Sequence, residues 1–188
     1  MQFDRAPLPL QASKPDCVRG TFTLDEAHWL ESAGDVSAHK RAVYLGFLRK
    51  LNLARREAVG DKLPESLAAM PLVRQDMPYG ANYRGLAAWR TAMQELRQIE
   101  VENQAEHQEG APGITIELDP DEITMLEDKA ALALTLAGPA DSTPKPSIVE
   151  GIAPEWQPDD RAVFYGVVEN RMAAEGVAQA IAAHRGNS

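Results

Sequence analysis

Arg41-Ala-Val-Tyr-Leu-Gly-Phe-Leu48 returns, more loosely, as Arg161-Ala-Val-Phe-Tyr-Gly-Val-Val168. Arg, Ala, Val and Gly are identical, and three further positions keep their apolar character. A second echo precedes each copy: Thr23-Leu-Asp-Glu-Ala-His-Trp-Leu-Glu31 aligns without a gap on Asp119-Pro-Asp-Glu-Ile-Thr-Met-Leu-Glu127. Both open on a helix-capping residue. Both continue x-Asp-Glu-x-x, a large apolar residue, then Leu-Glu. The order is the same in each half, a capped helix and then an Arg-Ala-Val helix. The upstream pair is offset by 96 residues (Asp25 to Asp121) and the downstream pair by 120 (Arg41 to Arg161). The second half therefore carries extra residues between its helices, where a Pro-rich stretch falls.

A repeat of this size would set the whole fold. Common helix grammar, with acids at helix starts in an Ala- and Val-rich chain, produces the same echo without duplication. The expected fold is mainly α: a helical bundle with two pseudo-repeated helix pairs, a minor β-ribbon and extended Pro-rich arms. A glycine inside a helix costs roughly 1 kcal/mol relative to alanine. It is kept where another backbone must come close. Gly46 and Gly166 are thus expected where the two equivalent helices cross.

Outward from these stretches, residues 1–20 read as an extended N-terminal arm, because Pro7, Pro9 and Pro15 disfavour helix. Thr23 and Glu26 form a capping box for a short helix that ends at Gly34. Ser37 is the expected cap of a helix over about 37–59, with Val43, Phe47, Leu51, Ala54 and Ala58 as its apolar stripe, widened by Tyr44 and Leu48. Gly60-Asp61 closes it. Met77-Pro-Tyr-Gly80 reads as a type I turn. Asn82 caps a long helix over about 82–108, striped by Leu86, Trp89, Met93, Leu96 and Ile99. Ile114-Thr-Ile-Glu-Leu118 alternates and is β-branched, which predicts a strand over 114–118, with Thr21-Phe-Thr as its partner. Asp119 caps the next helix, Pro120 takes its first position, and Gly138 ends it. The helical domain spans 21–138, and a Pro-rich linker 139–158 follows. The C-terminal segment 159–188 is expected to be a helix, capped by Asp159 or Asp160, that packs back on the domain.

Charge is unevenly distributed over the 188 residues, whose formal net charge is −9. Between Ser37 and Arg56 lie six bases, Lys40, Arg41, Arg49, Lys50, Arg55 and Arg56, and no acid. Between Glu95 and Asp128 lie eleven acids and one base. This polarity predicts either an internal contact or head-to-tail association. The negative net charge argues against broad nucleic-acid affinity and against anionic membrane surfaces. No apolar run reaches bilayer length, and no secretion signal is recognisable. Cys17 is the sole cysteine, so no internal disulfide forms. A cytoplasmic or virion location fits these features.

The chain carries no recognisable chemistry. His28, His39, His107 and His184 form no His-Glu-x-x-His or close pair. Asp119-Pro-Asp-Glu122 is acidic but lacks the glycine and terminal glutamate of a calcium loop. Ser37-Ala-His-Lys40 matches a Ser-x-x-Lys pattern without its companion elements, and a helix cap accounts for it. Nucleotide-binding loops are missing. No catalytic, metal or cofactor residue is therefore assigned, and no cofactor is expected. The expectation is a non-enzymatic structural or assembly subunit of a larger complex, of which a phage virion is one setting. It would act through protein partners, including copies of itself. Its candidate interaction residues are Lys40, Arg49, Lys50, Arg55 and Arg56 on the basic helix, Glu100, Glu102 and Glu106 on the long helix, and Trp156 as the anchor of the Pro-rich arm. Two alternatives are an acidic inhibitor that covers a basic partner surface with residues 95–128, and an enzyme whose buried polar cluster the sequence does not reveal.

Overall fold

The computed structural model describes residues 1–3, 16–32, 40–77, 83–106, 113–137 and 158–186, with side chains of the last segment described from 171 onward. The protein is mainly helical with a small antiparallel sheet. Strands β1 (Gln2–Phe3), β2 (Val18–Phe22) and β3 (Ile114–Leu118) lie in the order β1-β2-β3. Among the described residues six α-helices accompany them: α1 (Leu24–Ser32), α2 (Arg41–Val59), the single turn α3 (Glu65–Ala68), α4 (Tyr83–Glu106), α5 (Pro120–Ala137) and α6 (Pro158–Gly186).

Each long strand runs directly into a capped helix. Thr23 N–H donates to Glu26 Oε2 at 2.8 Å, and Glu26 N–H donates to Thr23 Oγ1 at 3.2 Å. Asp119 N–H donates to Glu122 Oε2 and Glu122 N–H to Asp119 Oδ1, both at 2.9 Å. These are two reciprocal capping boxes at corresponding positions of the upstream echo. Burial follows the same correspondence. Phe22 and Leu118, Glu26 and Glu122, Ala27 and Ile123, Trp29 and Met125, and Leu30 and Leu126 are all buried. Strand register adds a further match: Gly20 pairs with Ile116, its own counterpart at the 96-residue offset, at the centre of the β2–β3 ladder. Gly20 must lack a Cβ there, since one would stand 2.6 Å from Leu118 Cδ1.

The main core lies between the sheet and α1, α2, α5 and α6. Phe22, Leu30, Phe47, Leu51, Leu118, Leu126 and Val177 are fully buried within it. The Phe22 and Phe47 rings meet edge to face at 5.9 Å. Helix α6 packs on α5 and α1, and α2 packs on β3 and α5. A separate, smaller cluster joins Val59 of α2, Leu67 of α3, and Ala92 and Leu96 of α4.

Several expectations change. The N-terminal arm is not wholly extended coil: β1 and the start of β2 fall within it, because Val18-Arg-Gly gains ladder partners on β3. The last helix begins on Pro158 rather than after an Asp159 or Asp160 cap, since proline suits the first helical position, where no N–H partner exists. Gly46 is not a crossing point: a Cβ there meets nothing within 4 Å. The close-approach glycine of the helices is Gly176 on α6, where a Cβ would lie 2.7 Å from Glu26 Oε1. The buried stripe of α2 is Tyr44, Phe47, Leu48, Leu51, Asn52, Arg55, Arg56 and Val59, so Ala58 is exposed and three polar residues occupy the interior face. Gly60, at φ 58°, ends this helix as expected. The Ser37 and Asn82 caps, the Met77–Gly80 turn, Gly166 as a contact, and the Pro-rich stretch 139–157 with Trp156 lie outside the described residues.

Candidate functional site

The polar residues inside α2 converge on α1 and α4. Leu51 leads one helical turn on to Arg55, and Leu96 leads one turn on to Glu100, so each charge sits on its helix's apolar stripe. Arg55 is 2% exposed and Glu100 5%. Arg55 Nε donates to Glu100 Oε1 at 2.7 Å, and its Nη2 donates to Glu100 Oε2 at 2.8 Å. This is a two-pronged, charge-assisted pair. From the other side, His28 Nε2 of α1 lies 2.7 Å from Glu100 Oε2. An ionised carboxylate only accepts, so the imidazole donates.

The network continues outward through Arg55 Nη1, which donates to Asn52 Oδ1 at 2.8 Å. The Asn52 amide donates to Glu31 Oε2 at 2.6 Å and to the Leu72 carbonyl at 2.8 Å. Arg56 fastens the following segment to α2 by donating to the carbonyls of Met70 at 2.8 Å and Pro71 at 3.0 Å. Its Nε has no partner.

These groups titrate differently. Burial pushes the Glu100 carboxyl up, but hydrogen bonds from His28 and Arg55 outweigh it and hold the carboxyl below its ordinary range. Burial raises Glu31, and Arg55 and Asn52 offset this only in part. Burial and the repulsion of Arg55 lower Arg56. Both Glu100 oxygens are occupied by Arg55 and His28, so the geometry serves to join three helices rather than to hold a base ready. Glu100 also borders a cavity of about 590 Å³ walled by Thr21, Thr23, Val59, Asn103 and Gln104. Among the described residues, no group of His, Cys, Asp and Glu is placed to hold a metal ion.

The sequence-predicted interaction residues separate into two sets. Arg55, Arg56 and Glu100 are buried, which removes them from any outer docking face: the basic helix and the acidic stretch meet inside the protein at this pair. The others lie nearer the surface and mostly have intramolecular partners. Lys40 pairs with Asp128, and Arg49 Nε donates to Asp76 Oδ2 at 2.7 Å. Lys50 reaches Glu122 Oε2 at 2.7 Å and the Glu117 carbonyl at 3.2 Å. Glu102 accepts from Gln98 at 2.7 Å, and Glu106 pairs with Lys62 at 2.5 Å. Sequence reasoning passed over His28, Glu31 and Asn52. The available signal was position, since His28 stands between Ala27 and Trp29, both buried.

A second feature lies across α2. Leu53, 48% exposed, opens onto a groove of about 830 Å³ shared with Leu63, Met70, Pro71 and Leu72, with Glu57 and Asp76 on its rim. Compared with known proteins, the chain matches no family model, no curated protein and no solved structure. No described helix is long and apolar enough to cross a membrane.

Proposed function

We propose that this protein is a non-enzymatic structural or assembly subunit that works through protein contacts, and that a second copy of the chain is its first partner. The observation that carries this reading is the groove beside Leu53. An exposed Leu53 beside half-buried leucine, methionine and proline side chains, with charged residues among the lining, has the composition of a protein-docking surface. A pseudo-repeated architecture accords with it. The matched strand–cap–helix units and the self-paired Gly20–Ile116 position suit two copies of one β-α unit joined in a single chain. The downstream echo supports that less well. At its 120-residue offset Leu53 corresponds to Ala173, and the first is exposed while the second is buried.

The acidic-inhibitor reading is less favoured. Glu100 and Glu122 are buried, and Glu106, Glu127 and Asp128 pair with Lys62, Arg185 and Lys40. Native mass by light scattering tests the proposal. The wild-type chain should run heavier than its 20.5 kDa monomer and stay so in high salt, because the contact is apolar. Leu53→Asp should return it to the monomer without lowering its melting temperature. A wild-type monomer at every concentration, or an oligomer indifferent to Leu53→Asp, overturns the proposal.

A further inference from the structure

Helix α4 stands apart from the rest of the fold. None of its described side chains belongs to the main core, and its closest packing partner among the described residues is α2. Its apolar anchorage is the small cluster of Ala92 and Leu96 against Val59 and Leu67, with Met93 and Ile99 half-buried at its edge. Glu100, gripped by Arg55 and His28, ties it to α1 as well as α2, and at its C-terminal end Lys62 bonds Asn103 and Glu106 near the surface. A buried ion pair gains little net stability over separated, hydrated charges, because desolvation offsets most of the attraction. Lifting α4 away returns Arg55, His28 and Glu100 to water and gives up only a modest apolar area. Opening the main core exposes far more.

We propose that α4 is a releasable arm, held on the body of the protein by the Arg55–Glu100–His28 clamp. It opens as one unit while the sheet, α1, α5 and the core-facing side of α2 stay folded. Release uncovers Val59 and Leu67 beside the Arg55 guanidinium, a face that the closed arm covers in the same molecule. The clamp sets how often this happens, since Glu100 bonds both flanking helices from a buried position.

Native-state hydrogen exchange of the full chain, read by mass spectrometry over a series of urea concentrations below the unfolding transition, tests this. Amides of residues 83–106 should exchange together, through an opening with a weaker urea dependence than global unfolding. Amides of β2, β3, α1 and α5 should exchange only with global unfolding. Glu100→Gln keeps the size of the side chain and removes its charge. It should speed exchange of α4 by about tenfold or more, and because global unfolding also releases the clamp, the core segments should speed by the same factor while the gap between the α4 and core isotherms is kept. The urea series on the wild-type chain decides the matter alone if that variant does not fold. A single isotherm shared by α4 and the core, or a Glu100→Gln variant whose α4 amides exchange no faster than those of the wild type, overturns the proposal.

Discussion

Replacing Arg55 with leucine gives the sharpest test of how this fold is held. The side chain is 2% exposed and makes three hydrogen bonds, two to Glu100 at 2.7 and 2.8 Å and one to Asn52 at 2.8 Å. Leucine fills part of the volume but leaves Glu100 buried with His28 as its remaining partner of the clamp. Removing one member of a buried pair costs about 3–5 kcal/mol, mostly because the abandoned charge stays out of water. For a chain of this size each kcal/mol lowers the melting temperature by about 2–4 °C, so the expected drop is about 6–20 °C. Urea denaturation followed by circular dichroism at neutral pH, with a thermal melt, measures both quantities. The double variant Arg55→Leu/Glu100→Leu should recover part of the loss, since it removes the orphaned Glu100 charge while Glu31, 3.7 Å from Arg55 Nη1, still loses its partner. Arg49→Leu, which breaks an exposed pair with Asp76, serves as the comparison and should shift the midpoint far less. A loss below about 1 kcal/mol for Arg55→Leu, the range of surface pairs, would refute the reasoning. So would a double variant as unstable as the single one.

Half-buried Glu31 and buried Glu100 give stability contributions of opposite sign against pH. Glu31 is raised in the fold, so it takes up its proton there first, and acidification from neutrality towards the ordinary carboxylate range should strengthen the fold through it. Glu100 is depressed, so its contribution is complete above the ordinary range and is lost as pH falls through its folded value. Denaturation midpoints measured from neutrality into acid should therefore lose the first trend in Glu31→Gln and the second in Glu100→Gln. Two glycine variants should diverge in thermal melts. Gly46→Ala has open space and should stabilise by about 0.5–1 kcal/mol. Gly176→Ala gains the same helix propensity but pushes on Glu26 Oε1 at 2.7 Å, disturbing the α1 cap, and should be a net loss. Equal gains at both positions would show that the Gly176 contact does not constrain the fold.

Local signals were strong enough to place the capped helices and the strand pair. Thr23 with Glu26, and Asp119 with Glu122, satisfy helix-end N–H groups within a few residues, so their chemistry is complete in the sequence. The alternation of Ile114-Thr-Ile-Glu-Leu118 predicted a strand with one buried face, and its burial alternates as expected. Gly60 ended α2 because a positive φ suits a residue without a side chain. The phase of α2 was less legible. Ala54 and Ala58 fit an apolar stripe as well as Tyr44 and Leu48 do, and composition alone could not show that polar residues would continue the buried face.

The sequence by itself thus determined which of the described segments become helix or strand, where the two capping boxes and Gly60 set their ends, and that bases and acids are segregated along the chain. Only the tertiary structure decided that Arg55, Glu100 and His28 meet. These residues come from three helices, and their pairing depends on how α4 lies across α2, a long-range geometry that no local periodicity encodes. The same placement turned part of the charge segregation into an internal tie. It also left Leu53 exposed on an open groove, whose lining it shares with Arg56 of the same helix.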